Sequence, residues 1–251
     1  MSASYIIETE SLTKEFKEFV AVSNLSLRIQ TGSIHALIGP NGAGKTTVFN
    51  LISKFLEPTR GRIRYKGQDI TGVRPARLAR MGMVRSFQIS AVFPHLTVLQ
   101  NVRIALQRQT GLSYRFWCSK RVLDRLNDRA IELLDDVGLA DYRNDIATVL
   151  PYGRKRALEI ATTLALDPEL MLLDEPMAGM VRSDISRVSE LIRHAARNRT
   201  VVMVEHNLDV VSELSDSITV LQRGSILAEG SYHEVSRNPD VRRAYLGTGD
   251  D

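Results

Sequence analysis

The stretch Gly39-Pro40-Asn41-Gly42-Ala43-Gly44-Lys45-Thr46 constrains this chain more than any other, because it fits G-x-x-x-x-G-K-[ST] between two patterned segments. Ser33–Ile38 before it is a compact apolar run of the kind a buried strand makes, and Thr46–Phe55 after it reads as a helix. Glycines at the turn permit backbone angles closed to bulkier residues, so successive amides can face inward at phosphate oxygens. The helix that follows offers its N-terminus to the same anion. On this reading the loop residues Gly39, Pro40, Asn41, Gly42, Ala43 and Gly44, with Lys45, Thr46 and Thr47, hold a nucleotide. Lys45 reaches its β- and γ-phosphates and the Thr46 hydroxyl ligates Mg²⁺.

The remaining pattern supports an α/β architecture. Leu170–Leu173 and Thr200–Val204 are further short apolar runs, which marks buried parallel strands covered on both faces. Leu123, Leu126, Ala130, Ile131, Leu134 and Val137 fall at helical spacing, and Lys155–Leu166 also reads as a helix. The middle, about 89–160, shows no clear strand and reads as a helical insertion in one domain spanning 1–251. The run ending at Leu173 is followed by Asp174-Glu175, two carboxylates at the tip of a buried strand, the edge where parallel sheets bind ligands. Asp174 can then hold Mg²⁺ and Glu175 can polarise an attacking water. An acidic first helical turn before Pro176 would use the same residues, but the neighbouring phosphate loop favours the catalytic reading.

Composition excludes other classes. A chain of 251 residues with 43% hydrophobic and 25% charged residues is neither disordered nor a disulfide scaffold. The single cysteine, Cys118, points to a reducing compartment. The longest stretch without Lys, Arg, Asp or Glu, Ser86–Val102, contains Gln88, Pro94, His95, Gln100 and Asn101 and is no membrane span. Met1–Glu10 has no apolar core, so no secretory signal is expected. A net charge of +4 selects no polyanionic partner. Arg74, Arg77 and Arg80 read as a solvated helix face, and nucleic-acid binding is not expected without interleaved aromatics. Arg154-Lys155-Arg156 likewise reads as basic surface.

From residue 5 to residue 247 the sequence resembles the ATP-binding subunits of ABC transporters. Phe16, 29 residues before Lys45, stands where that family places an aromatic ring on adenine. Gln88, in Arg85-Ser86-Phe87-Gln88, is similar to the glutamine that senses Mg²⁺ and water and links the ATPase to its membrane partner. Leu150-Pro151-Tyr152-Gly153-Arg154 occupies the place of the signature L-S-G-G-Q, which meets the ATP held by the opposite subunit. His206, closing Met203-Val204-Glu205-His206, resembles the switch histidine that contacts the γ-phosphate. Gly67–Gly72, Asp174–Met180 and the end, Glu229-Gly230 through Tyr245-Leu246-Gly247, resemble the branched-chain amino acid importer subgroup. These stretches are also similar to urea-type importers and the lipopolysaccharide-export ATPase.

The resemblance implies a RecA-like phosphate-loop core, an N-terminal antiparallel β subdomain and a helical subdomain. It implies hydrolysis of ATP to ADP and phosphate, with Mg²⁺ on Thr46, Gln88 and Asp174, and with Lys45, Glu175 and His206 as the catalytic groups. It implies a peripheral subunit on the cytoplasmic face of the inner membrane. The partners it implies are integral-membrane permease subunits, a second ATP-binding subunit and, indirectly, a solute-binding protein. There are two rivals: a soluble ABC ATPase acting on DNA or ribosomes, though such proteins usually carry two of these domains or long coiled coils, and a nucleotide-binding regulatory subunit with little hydrolysis, against which Glu175 and His206 argue. The chain departs from the family in two places: Pro151 and Arg154 replace the signature serine and glutamine, and Met180-Val181-Arg182 replaces Leu-Asp-Pro. The first removes a hydroxyl contact to the opposite γ-phosphate. The second removes the Asp that couples the two sites.

Overall fold

The computed structural model describes residues 4–86, 92–108 and 125–246. Gln88, Trp117 and Cys118 lie outside these residues. The chain divides into two compact units, one of Met1–Met83, Glu169–Pro176 and Ala196–Asp251, the other of Val84–Pro168 and Met177–Ala195.

The first unit holds one sheet and, apart from Val84 and Arg85 at its edge, the whole of a second. The strands β1 (Tyr5–Phe16), β2 (Phe19–Leu25), β3 (Arg28–Gln30), β5 (Arg60–Tyr65) and β6 (Gln68–Asp69) form one sheet, in which β1 pairs antiparallel with β2, β3 and β5. The second sheet runs β11-β10-β4-β9-β8-β7, from β4 (Ile34–Ile38), β7 (Met83–Arg85), β8 (Leu170–Asp174), β9 (Thr200–Val204), β10 (Ser217–Gln222) and β11 (Ser225–Gly230). β10, β4, β9 and β8 are mutually parallel, and β11 returns antiparallel along β10. Every residue of β4, β8 and β9 is buried, which is why these segments read as unbroken apolar runs with no alternation.

Helix α1 (Lys45–Ile52) buries Val48, Phe49, Leu51 and Ile52 in a core that joins both sheets through Leu12, Ile29, Ile63, Tyr65, Leu172 and Val202. A fully buried Phe or Leu contributes roughly 1.5–3 kcal/mol, so this face anchors the helix behind the loop that precedes it. The helix stops short of Phe55. Lys54 turns left-handed at φ 61°, and the amides of Phe55 and Leu56 both return to the Asn50 carbonyl. Helix α2 (Pro75–Arg80) buries Leu78 and leaves Arg74, Arg77 and Arg80 in solvent.

The described residues of the second unit are mainly helical: α3 (Val98–Gln107), α4 (Asn127–Asp136), α5 (Tyr152–Leu164) and α6 (Arg182–Ala196). Thr97 and Gln100 close a reciprocal cap at the start of α3. α5 starts at Tyr152, three residues earlier than the expected Lys155, because Pro151 holds an extended φ of −56° and ψ of 157° at the N-cap and its carbonyl accepts from Lys155 N–H at 3.0 Å. The basic-surface reading of Arg154–Arg156 is corrected at Arg156. Its side chain is 8% exposed and paired with Glu159 one turn on, also 8% exposed. The chain closes in the first unit with α7 (Leu208–Leu214), α8 (Tyr232–Arg237) and α9 (Pro239–Leu246).

Candidate nucleotide site

Strand register brings the motif residues to one edge. Leu37 of β4 and Asp174 of β8 are both opposite Val204 of β9, so three parallel strands end level with one another. From those tips emerge the phosphate loop after Ile38, Asp174-Glu175 after Leu173, and Glu205-His206 after Val204. This carboxyl edge is where an open parallel sheet binds ligands.

The loop's glycines are dictated by close approach. At Gly39 an added Cβ would stand 2.2 Å from the Leu221 carbonyl oxygen, and at Gly44 it would stand 2.7 Å from the Ala21 carbonyl oxygen. Gly44 is the left-handed cap of α1, at φ 98°. The turn Arg223-Gly224 braces the loop from behind: Gly224 N–H donates to the Ala43 carbonyl at 3.0 Å, and Ser23 N–H to the Gly224 carbonyl at 2.9 Å. Ala21 and Gly224 are thus part of the loop's support, and no local motif marked them. The β10–β11 turn that carries Gly224 was the one available signal.

Lys45 lies over its own loop, with Nζ donating to the carbonyls of Gly39 at 2.7 Å and Pro40 at 3.0 Å. Burial lowers its pKa, and the Glu175 carboxylate acts in the opposite direction. Glu175 therefore faces the lysine electrostatically. It does so from a left-handed backbone, φ 44°, with its N–H held on the Val204 carbonyl at 3.0 Å. A non-glycine residue in that region is strained, and such strain concentrates where a side chain must be aimed. Asp174 is 5% exposed and Thr46 is exposed at the first turn of α1.

His206 is exposed, and its N–H donates to Glu205 Oε2 at 3.1 Å. Glu205 is 1% exposed and also receives Asn207 N–H at 3.4 Å. The sequence reading passed over this buried carboxylate, which sets the turn presenting the histidine. Asn207 then caps α7 by accepting from the amides of Asp209 and Val210. Phe16 ends β1 and is 43% exposed, with Lys14 Nζ over its ring at 5.1 Å from the centroid.

In the second unit, Leu150–Arg154 leads into α5. Leu150 is 4% exposed, whereas Tyr152 is exposed and its hydroxyl donates to the Ala178 carbonyl at 3.1 Å. The Arg154 guanidinium lies 4.0 Å from the Tyr142 ring centroid. Gly153 meets the Asp184 carboxylate so closely that a Cβ would come within 2.6–2.9 Å of its atoms. No side chain caps α5.

A G-x-x-x-x-G-K-[ST] loop between a buried strand and a helix, with an acidic strand tip beside it, defines a phosphate-loop nucleotide-binding protein. A family model described as ABC transporter matches residues 22–178, and one described as branched-chain amino acid ATP-binding cassette transporter matches residues 225–251. The chain belongs to the ABC transporter family and is an ATPase of the cassette type. It is 39% identical to the high-affinity branched-chain amino acid transport ATP-binding protein LivG of Salmonella typhimurium over 96% of this chain and 98% of that protein. It is 36% identical to the corresponding protein BraF of Pseudomonas aeruginosa at the same coverage. Among solved structures, the ADP conformation of MJ1267, an ATP-binding cassette of an ABC transporter, superposes with TM-score 0.84 at 29% identity, over 97% of this chain and 99% of that one. A dimeric post-hydrolysis cassette, MJ0796 with ADP and Pi, gives TM-score 0.73 at 25% identity, over 90% and 98%. The expected α/β cassette fold is thereby established.

Proposed function

We propose that this chain hydrolyses ATP to drive import of branched-chain or other hydrophobic amino acids. The observation that carries the substrate class is the match of residues 225–251 to the branched-chain amino acid cassette model, together with near full-length similarity to transport proteins of that name. No helix among the described residues is long and apolar enough to cross a membrane. Transport therefore requires integral-membrane permease subunits, on which this chain acts from the cytoplasmic face of the inner membrane. It does so with a second ATP-binding subunit and, indirectly, a solute-binding protein.

The geometry of the described residues supports the following roles. Phe16 stacks on adenine. The amides of the Gly39–Thr47 segment and the N-terminus of α1 receive the phosphates, and Lys45 exchanges its two carbonyl partners for phosphate oxygens. Glu175 takes a proton from, or orients, the attacking water, and His206 donates to the γ-phosphate. The Thr46 hydroxyl and the Asp174 carboxylate are hard oxygen donors that suit Mg²⁺, which binds through one or two such groups together with substrate phosphates. When bound, Mg²⁺ neutralises charge on the β- and γ-phosphates. Gln88 completes the assigned set.

Reconstituted into vesicles with its permease partners and binding protein, the chain should drive ATP-dependent uptake of labelled leucine, isoleucine or valine. Glu175→Gln should cut hydrolysis and uptake by about 10²–10⁴-fold while ATP affinity stays within a few fold, because the amide fills the same space but takes no proton. ATP turnover coupled to another solute, with none of these amino acids carried, would overturn the substrate class.

A further inference from the structure

Between the tip of β9 and the start of α7 the chain has three residues, Glu205, His206 and Asn207. The outer two spend their side chains on backbone. Glu205 is 1% exposed, although a glutamate is almost never buried without partners. Its own N–H donates to the Leu37 carbonyl at 3.4 Å, which ties it to β4 two residues before Gly39. Its Oε2 accepts the amides of the next two residues, His206 at 3.1 Å and Asn207 at 3.4 Å. The Asn207 side chain in turn accepts the amides of Asp209 at 3.1 Å and Val210 at 3.3 Å. Val210 is 2% exposed, so the helix capped in this way is seated on the core.

His206 stands between these two anchors with its side chain exposed. An exposed imidazole takes its direction chiefly from the backbone that carries it, and connecting segments are normally the softest backbone of a domain. Here a carboxyl oxygen reaches forward over its own peptide and holds the two amides that would otherwise let the turn vary, a local side-chain-to-backbone bond. We propose that Glu205 is a positioning residue for hydrolysis, whose carboxyl oxygen fixes the His206 backbone so that the imidazole meets the γ-phosphate. This rests on the reading of His206 as the γ-phosphate contact. Glu205 touches neither nucleotide nor water in this role and acts only through the histidine. A displacement of about 1 Å in a group that must meet the reacting atoms can cost about a hundredfold in rate, so a turn of this kind has a kinetic consequence.

The test compares Glu205→Met with Glu205→Gln in the full-length chain, reconstituted with its permease partners. Methionine keeps the length and fills the buried site but offers the two amides no oxygen, whereas glutamine keeps an oxygen there. Glu205→Met should lower kcat for ATP about ten- to a hundredfold while ATP Kd stays within about threefold, and Glu205→Gln should keep kcat within about threefold of wild type. In a His206→Ala background Glu205→Met should cost nothing further, because a residue that acts through the histidine then has nothing left to place. Val210→Ala, which loosens α7 from the core, should lower the melting temperature and leave kcat near that of the wild type. Should Glu205→Met not fold, Glu205→Ala takes its place with the same losses expected. Equal loss from the methionine and glutamine variants would overturn the proposal. So would a loss that multiplies with that of His206→Ala, or a Val210→Ala loss as large as that of Glu205→Met. Wild-type turnover in Glu205→Met, with His206→Ala inactive, would overturn the proposal and leave the histidine's role intact. Wild-type turnover in His206→Ala would overturn the reading of the histidine, and the proposal with it.

Discussion

The carboxyl edge of the six-stranded sheet and the N-terminal end of α5 take their geometry from different sources. At the sheet edge the geometry is set by backbone. Register levels the tips of β4, β8 and β9, two glycines sit where any Cβ would strike a carbonyl, and Glu175 is held left-handed by a main-chain bond. At the start of α5 the geometry is set by side chains that already have partners. Arg154 covers Tyr142, Tyr152 bonds Ala178, and the Asp184 carboxylate sits against Gly153. The first region holds its shape through main-chain contacts, which suits the anion-binding role proposed for it. In the second, Arg154 and Tyr152 already have partners within the chain and the Asp184 carboxylate lies against Gly153, while the first amides of α5 carry no side-chain cap.

The largest effect that separates these regions is expected from Lys45→Ala. Charge-assisted hydrogen bonds are worth about 1.5–3 kcal/mol each, and Lys45 is assigned two of them on the phosphates. Part of that is offset, because the free ammonium already donates to the carbonyls of Gly39 and Pro40. The net loss should be about a hundredfold in ATP affinity, read by calorimetry with Mg²⁺. Charge reversal at the other region, Arg154→Glu, should leave the isolated chain's affinity unchanged. Similar losses from both would break the comparison.

The same contrast explains what could be read from sequence. The strand ends that carry Gly39–Thr46, Asp174-Glu175 and His206 were legible because three fully apolar runs marked those strands; the roles of these residues are the reading proposed above. Arg156 was not. A basic triplet looks like surface, and only the α5 packing shows that its guanidinium is buried against Glu159. Nor could spacing show Arg154 on Tyr142, Asp184 on Gly153 or Gly224 behind Ala43. These pairs are separated by 12 to 181 residues, and periodicity carries no information about which distant residues meet. The start of α5 was misplaced for a local reason: Pro151 can cap a helix that composition alone would begin at the basic run.

A second effect of smaller size should appear on acidification, and in the sheet first. His35, in β4 behind the phosphate loop, is 3% exposed and bonded to Ser217 at 2.7 Å and Thr219 at 2.9 Å, and Thr219 donates on to Glu229 at 2.7 Å. Burial lowers its pKa to about 4 from 6.5. The unfolded chain therefore binds a proton that the folded one refuses across that window. Stability contributed by this site is full above pH 6.5, falls as pH drops towards 4, and levels below it, by at most about 3 kcal/mol. Melting temperatures from pH 7 to pH 4 should show a drop in the wild type that is smaller in His35→Gln. Amide exchange should rise in β4 and β10 before it rises in α5. Parallel pH profiles for the two proteins would remove His35 as the cause.

The smallest expected effect bears most directly on the contrast. On the proposed reading, each ATP site joins one subunit's phosphate loop to the other's signature, and this chain gives its sheet edge to one site and Leu150–Arg154 to the other. At that second site Pro151 cannot supply the serine hydroxyl. Arg154 could reach a phosphate only by leaving Tyr142, a cation–π contact worth about 0.5–2 kcal/mol, and by approaching past the Asp184 carboxylate. Paired with an ATPase whose signature is complete, the site built on Lys45 should carry most of the turnover. Inactivating Glu175 in the assembled transporter should then cost most of the activity, and inactivating the partner's corresponding glutamate much less. Restoring the family residues with Pro151→Ser and Arg154→Gln should raise turnover at the weaker site by about tenfold, the lower bound for one charge-assisted hydrogen bond. The gain should be visible only when Glu175 is already Gln and the partner's glutamate is intact, because otherwise the stronger site masks it. Equal losses from the two glutamate variants, with no gain on restoration, would mean that the α5 terminus serves the opposite nucleotide as well without its hydroxyl as with it.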